Sequence, residues 1–483
     1  MKPLFWVLYI LTISSMFISG CMKMGENYLR PELGINIPKA YIQEEEKLTS
    51  LSGAKDFWWR EFGDPKLNDL VDEAFKYNPD IRKTAAVILE QKGRMIQTGA
   101  NRFPNVDIAG QAKRNQLITD TTTPTALPEG GIGFVTSEQR ITTNAYGLSM
   151  PATFELDLWG RLARANEAAK ADLLQAEENR DTIIHSVIAE VVSLYLKIES
   201  LNRQIQLNEQ RINNYQTGLN LVDKRYTAGL TDALEVRQAR RSLSQVKSAQ
   251  PTLLQALKVS QNNLAILCGK YPENTSQKTK SKYYIDHLPP VPGGLPSGLL
   301  MQRPDIRAAE AQLMALNARV GQAKANRFPA ISLTASFGYA SDELSSLITP
   351  ASELWNIASG ITAPVFDAGS RKAGYDIAKA RYQQGVSDYA KTVLSAFSEV
   401  ENALLIRKQQ ILRREQLNDF LNEAKATQEM AEFRYDRGIV DYLTVLDAVQ
   451  ARFLAEEEII ASDLTILQNR VTLHRALGGG WGL

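Results

Sequence analysis

Two periodicities alternate along this chain. From Gly160 to Tyr226 there is no proline and one internal glycine, Gly218. Within that stretch the apolar positions Ile184, Ile188, Val191, Tyr195 and Ile198 step by four and three residues. From Gly369 to Tyr435 the pattern returns without proline, and Tyr389, Val393, Phe397, Val400 and Leu404 step the same way. Such spacing predicts coiled-coil-like seams on helices of about 65 residues, roughly 100 Å at 1.5 Å per residue. The other faces carry Gln, Asn, Glu, Lys and Arg, so these helices pack side by side along a narrow seam rather than around a thick core. After Phe103-Pro104 and after Phe328-Pro329 the period drops to two. Val106, Ile108, Gly110 and Ala112 alternate with Asp107, Ala109 and Gln111. Ile331, Leu333, Ala335, Phe337 and Tyr339 alternate with Ser332, Thr334, Ser336 and Gly338. These are strands with one apolar face. Returning strands are expected near Thr142–Phe154 and Trp355–Val365, giving two hairpins of strands about ten residues long, enough to cross a bilayer when tilted.

The two halves are copies of one another. Ala100-Asn101-Arg102-Phe103-Pro104 recurs as Ala325-Asn326-Arg327-Phe328-Pro329, and Asn78-Pro79-Asp80-Ile81-Arg82 as Arg303-Pro304-Asp305-Ile306-Arg307. Farther on the offset shortens: Gly160 matches Gly369, Tyr226-x-x-Gly229 matches Tyr435-x-x-Gly438, and Gly269 matches Gly478. A repeat of this length implies two similar halves packed together. The shortening locates an insertion between Pro104 and Gly160 of the first copy. Its expected content is Thr121–Gly131, where Pro, Gly and Thr predict a loop. The organisation expected is a signal peptide over 1–20, an anchor and girdle segment over 21–64, a first repeat over 65–269, a linker over 270–303, a second repeat over 304–478 and a tail over 479–483.

Each long helix should turn at glycine. Gly229 and Gly438 suit the left-handed position just past a helix end. Asp232 and Asp441 follow by three residues and should cap the next helix, with Asp232-x-x-Glu235 spaced like a capping box. Pro79 and Pro304 fit first helical positions, with Asp80 and Asp305 favourable to the helix dipole.

Lys2 precedes an apolar run from Leu4 to Ile18 that fits a signal-peptide core, and the run ends in Ile18-Ser19-Gly20-Cys21. Small residues before a cysteine resemble a bacterial lipoprotein box with Cys21 as the lipidated mature N-terminus. Met22 replaces the Asp that would retain a lipoprotein at the inner membrane. Apart from Cys21 the only cysteine is Cys268, so no disulfide framework is expected, and Cys268 reads as a small buried hydrophobe. Lys and Arg total 55 against 54 Asp and Glu, a net charge of +1 that argues against a nucleic-acid partner. Beyond the leader no stretch is apolar enough for a membrane helix, so any crossing must use strands. Four strands leave two edges, and an open edge does not sit in lipid. The chain must then oligomerise: two copies would give eight strands and three would give twelve.

The signatures Trp58-Trp59-x-x-Phe62-Gly63-Asp64-Pro65-x-Leu67, Leu288-Pro289-Pro290-Val291-Pro292-x-Gly294-Leu295-Pro296 and Phe433-Arg434-Tyr435-x-x-Gly438-x-x-x-Tyr442-Leu443-Thr444-Val445-Leu446-Asp447-Ala448 are similar to those of the TolC-like outer-membrane factors, within them the OprM/NodT lipoprotein branch. The resemblance covers essentially the whole chain. It implies a mainly α fold with membrane β: a duplicated long-helix coiled-coil α-barrel, plus two β-hairpins per chain that build a trimeric 12-stranded outer-membrane β-barrel. A mixed girdle should come from about residues 30–64, 270–300 and the C-terminal end. The resemblance further implies a homotrimeric exit duct, lipid-anchored through Cys21 in the outer membrane of a Gram-negative bacterium and extending into the periplasm. Its partners would be a periplasmic membrane-fusion adaptor and an inner-membrane transporter of the RND type. By the same resemblance the turns carrying Tyr226, Gly229, Tyr435 and Gly438 form the adaptor-docking tip. Leu443 and Asp447, one helical turn apart, would form a periplasmic gate of one apolar and one acidic ring, with Arg434 and Arg437 as candidate neighbours of the acids. Thr444 stands where the TolC branch has a second acid.

No cofactor or catalytic function is implied. His185, His287 and His474 are widely separated, and no Gly-rich phosphate loop, metal-spaced Cys pair or nucleophile elbow is found. Met22 and Met24 alone make no copper site. Two alternatives remain at this level, an outlet for type I protein secretion and a non-conducting coiled-coil scaffold. The scaffold accounts for the helices but not for the hairpins or the lipoprotein box.

Overall fold

The structure, a computed structural model, describes residues 23–34, 41–42, 57–127, 130–273, 284–285, 288 and 302–479. Cys21, the leader and most of the expected girdle stretches lie outside these residues. Helix α1 spans Pro65–Tyr77, followed by α2 (Pro79–Ala100), β1 (Asn105–Val106), β2 (Ala109–Leu127), β3 (Gly131–Leu156), α3 (Arg161–Thr227) and α4 (Ala233–Leu267). The second copy gives α5 (Pro304–Ala325), β4 (Ala330–Ser341), β5 (Glu353–Thr362), α6 (Ser370–Asp436) and α7 (Tyr442–Ala476). The repeated helices are the same length in both copies: 22 residues for α2 and α5, 67 for α3 and α6, 35 for α4 and α7.

The chain forms two compact units, and each draws on both copies: Met1–Leu29, Gln91–Leu173 and Gln312–Gly385 in one, Arg30–Glu90, Leu174–Ala311 and Val386–Leu483 in the other.

The first unit holds the sheet. β2 and β3 pair from Ala109↔Ser149 to Leu127↔Gly131, β3 pairs with β4, and β4 pairs with β5, all antiparallel. β1 pairs with β3 in the same register as β2, so the two are one strand with a break at Asp107–Ile108. Pro151 explains the break. The Asp107 N–H donates to the Pro151 carbonyl at 3.0 Å, but proline has no N–H to return the bond. Among the described residues four strands therefore run through the sheet, as the periodicity predicts. Their lengths differ from expectation. The insertion is not a loop: β2 stays paired to β3 through Leu127↔Gly131. Threonine is β-branched and suits a strand, and Pro124 is tolerated because a two-stranded ribbon leaves its outer N–H side free.

In the second unit the predicted seam of α3 is buried at Ile184, Ile188, Val191, Tyr195 and Ile198. These side chains share a core with Trp58, Trp59, Phe62, Leu67 and Val71 of the N-terminal segment and with Leu467 and Val471 of α7. Asp64 of the Phe-Gly-Asp-Pro signature is 2% exposed and caps α1 through the Lys66 N–H. Its other carboxylate oxygen accepts the hydroxyls of Tyr195 at 2.8 Å and Tyr284 at 2.7 Å. Burial, reinforced by this carboxylate, pushes both phenols far above their usual range. A second buried acid, Asp463 of α7, ties three long helices: Arg203 of α3 donates to it at 3.0 Å and Arg414 of α6 at 2.8 Å. A narrow seam supplies little apolar area per turn, and this ion cluster fixes how far the helices can slide past one another.

Removing one member of such a cluster leaves charge buried without its partner. Asp463→Ala should cost about 3 kcal/mol. The check is urea denaturation of the helical signal. A change under about 0.5 kcal/mol would be no more than a surface substitution gives and would contradict the assigned role.

Candidate functional site

At the ends of α3 and α6 the chain reverses in matching turns. Gly229 and Gly438 take φ of +70° and +72°. In the first turn the Leu230 N–H reaches back to the Arg225 carbonyl at 2.8 Å, and in the second Ile439 reaches Arg434 at 2.9 Å. These bonds satisfy carbonyls that the helix end leaves open, in a geometry that a β-carbon strains. Asp232 then caps α4 through the Leu234 and Glu235 N–H groups, and Asp441 caps α7 through Thr444. The Thr444 hydroxyl also donates to Asp441, which holds that carboxyl below its usual pKa.

The expected capping box around Asp232 is half formed. Glu235 does not reach back to its own cap. Its carboxylate accepts the Thr231 hydroxyl and, across to the second copy, the Tyr435 hydroxyl at 3.1 Å and the Tyr442 N–H at 3.4 Å. Arg225 completes the crossing. Its Nη1 donates to the Tyr435 carbonyl at 3.0 Å, and its guanidinium lies 4.4 Å from the centre of the Tyr435 ring. The two turns are therefore joined within one chain. Burial, with Glu235 beside it, raises the Tyr435 phenol, and burial pushes Tyr442 up to about 12, so both phenols stay neutral at physiological pH.

The paired motifs do not have equal surroundings. Tyr226 is 47% exposed, whereas Tyr435 is 3% exposed and packed with Tyr215, Val222, Tyr442 and Val445. Tyr435 thus shapes the turn from inside and presents no surface to a partner. Tyr442 fits because Gly218 leaves room: a β-carbon there would stand 2.3 Å from the Tyr442 hydroxyl. Leu443 and Asp447 both lie on the exposed face of α7, opposite buried Tyr442, Val445, Leu446 and Val449. Arg434 and Arg437 do not pair with Asp447. Arg437 instead sits over the Phe433 ring at 3.9 Å.

In the sheet, one face collects Met150, Phe154, Leu333, Phe337, Trp355, Ile357 and Ile361, as the pairing Phe337↔Trp355 and Leu333↔Phe154 requires. Trp355, Ile357 and Ile361 are 70%, 78% and 71% exposed. The other face is mostly small or polar, with Ser149, Thr153, Ser332, Thr334, Ser336, Gly338 and Asn356, and Leu354 beside Gly338 is its large apolar exception. Among the described residues β5 pairs only with β4, and β1 and β2 only with β3, so both edges are open.

The family model described as outer membrane efflux protein matches residues 70–270 and 295–479. The chain belongs to the outer membrane efflux protein family. The solvent efflux pump outer membrane protein SrpC of Pseudomonas putida is 34% identical over 437 residues, 90% of this chain and 89% of that protein. The probable outer membrane lipoprotein SilC of Salmonella typhimurium is 30% identical over 477 residues, 98% of this chain and 99% of that one. The solved structure of the outer-membrane channel OprN superposes with a TM-score of 0.85 at 27% identity, over 95% of this chain and 99% of that chain. Members of the family are trimeric channels of Gram-negative outer membranes that work with an adaptor and an inner-membrane pump. This chain is such an efflux channel: its four strands, taken three times, make the 12-stranded barrel.

The sequence motifs located the turns and α7 but not the crossing from Glu235 to Tyr435. The signal was present in the unequal pair Gly218 and Thr427, which match in the repeat, against Ala233 and Tyr442. Where one copy loses a side chain, the other supplies a large one. Tyr435→Phe should remove one hydrogen bond, about 1 kcal/mol. Amide exchange at Gly438–Asp441 is then expected to accelerate about fivefold with trimer content unchanged. Unaltered exchange would show that the hydroxyl does not hold the turn.

Proposed function

We propose that the trimer is a passive exit duct for small molecules, closed at its periplasmic end by Leu443 and Asp447 and engaged there by the adaptor through the turns at Tyr226–Gly229 and Tyr435–Gly438. The observation that carries the duct is the sheet: one face apolar and exposed, the other mostly small and polar, with both edges unpaired among the described residues. Closed with two further copies, it turns its apolar band to lipid and lines a lumen with polar groups.

The gate reading is supported by the exposure of Leu443 and Asp447 on one face of α7, and by the absence of a basic partner for Asp447 among the described residues. Threefold symmetry gathers three leucines and, one turn on, three carboxylates. Like charges in a narrow opening favour cations and repel one another. At the turns, the exposed residues Tyr226, Leu230 and Ile439 supply the contact surface, while the glycines and Tyr435 set its shape. The proposal extends to a pump of the RND type, supported by the resemblance of the motifs to the lipoprotein branch, and to lipid attachment at Cys21, supported by the lipoprotein box.

The test is conductance of purified trimer in planar bilayers. The wild type should show a small, cation-preferring conductance, and the Leu443→Ala/Asp447→Ala variant a conductance several-fold larger with weaker cation preference. Unchanged conductance in a folded, trimeric double variant would rule out this gate. Mass spectrometry of the mature N-terminus tests the anchor, and a start at any residue other than acylated Cys21 would remove it.

A further inference from the structure

The stretch Lys23–Leu29 has little apolar packing. Lys23, Glu26, Asn27 and Leu29 are exposed. Polar contacts hold it instead. Arg164, in the first turn of α3, is 1% exposed, and its guanidinium grips the stretch. Nε donates to the Met24 carbonyl at 3.0 Å; Nη2 donates to the carbonyls of Gly25 at 2.9 Å and Glu26 at 3.3 Å and to Asn27 Oδ1 at 3.2 Å. Nη1 is paired with Glu167 at 2.9 Å. The Met24 N–H donates to the Trp159 carbonyl at 3.0 Å, and Asn317 Nδ2 donates to the Glu26 carbonyl at 3.0 Å. The fit is also steric: a β-carbon on Gly321 would stand 2.7 Å from the Met24 carbonyl oxygen, and one on Gly160 would stand 2.8 Å from Lys23 Cα.

A guanidinium taken from water needs every donor satisfied. Here carbonyls of the strap do most of that, so burial of Arg164 and seating of the strap occur together. A lysine offers one compact ammonium and cannot span three successive residues. The strap passes the junction where β3 ends at Leu156, and Leu156 pairs with Ile331 at the last rung of the apolar face. Cys21 precedes Lys23 by two residues and is tethered within about 7 Å of it.

We propose that Arg164 is a positioning residue for the membrane anchor: it clamps the backbone of Met24–Asn27 so that the acyl chains of Cys21 enter the bilayer beside the apolar band of the sheet. The proposal rests on the reading that Cys21 is lipidated. With the clamp closed, lipid and barrel strands meet the membrane as one rigid surface. With it open, the same lipid hangs on a free tether and its insertion no longer brings the strands with it.

The experiment uses full-length lipidated protein, Arg164→Lys and, as a steric alternative, Gly321→Val. Amide exchange at Met24–Asn27 should rise about tenfold or more in both, with α3, α5 and the sheet unchanged. Vesicle insertion should slow in Arg164→Lys and in Cys21→Ala to a similar extent, and the double variant should be no slower than either single one. Unchanged exchange in both strap variants would overturn the clamp. A double variant slowed by the product of the two single effects would overturn its link to the lipid, since independent structural damage multiplies. Finding no acyl group on wild-type Cys21 would remove the anchor reading and the insertion effect with it, while the exchange result would still decide the clamp.

Discussion

A backbone N–H or C=O without a partner costs several kcal/mol in the hydrocarbon region of a membrane. This sheet presents two open edges and a face bearing Trp355, Ile357, Ile361 and Phe337. Neither feature is tolerable for a lone chain: the edges are too polar for lipid and the face too apolar for water. Both are satisfied when copies of the chain pair edge to edge. Trimerisation is thus part of the fold of this channel rather than an association of finished subunits. The polar inner face then follows without further design, because residues of a strand alternate between its two sides.

The helical part meets a different constraint. Helices of 67 residues packed along a narrow seam bury little apolar area for their length. The chain compensates with polar ties: Asp463 joined to Arg203 and Arg414 and Glu235 reaching Tyr435 and Tyr442 link the two copies, and Asp64 receiving two tyrosines links the N-terminal segment to α3 and to Tyr284. Hydrogen bonds and ion pairs are directional, so they fix register where a smooth hydrophobic seam permits sliding.

The helices, their turns and the apolar face of the strands were legible in the sequence because each is a local period, three-to-four or two, punctuated by glycine or proline. Copy number made them firmer, since Tyr226-x-x-Gly229 and Tyr435-x-x-Gly438 mark the same turn twice. What was not legible depends on environment. Threonine, proline and glycine around Thr121–Gly131 suggested a loop, yet in a ribbon open on both sides proline costs no hydrogen bond and threonine favours extension. Identical motifs suggested identical tyrosines, yet Tyr435 is buried and Tyr226 is not, because Gly218 and Tyr442 occur once each. The strap bound by Arg164 carries no motif at all: its ligands are mainly backbone carbonyls, which every sequence possesses.

Closure of the barrel by edge pairing between three chains is the claim from which the lumen and the lipid face follow. Disulfide trapping across that seam tests it directly, with a panel of single cysteines along β2 from Ala109 to Ala112 combined one at a time with single cysteines along β5 from Trp355 to Ile361, in a Cys268→Ser background. The account predicts that at least one combination, oxidised in membranes, gives a denaturing-gel ladder that ends at three chains. A ladder ending at two, or no intermolecular bond from any combination in protein that conducts ions, would contradict it.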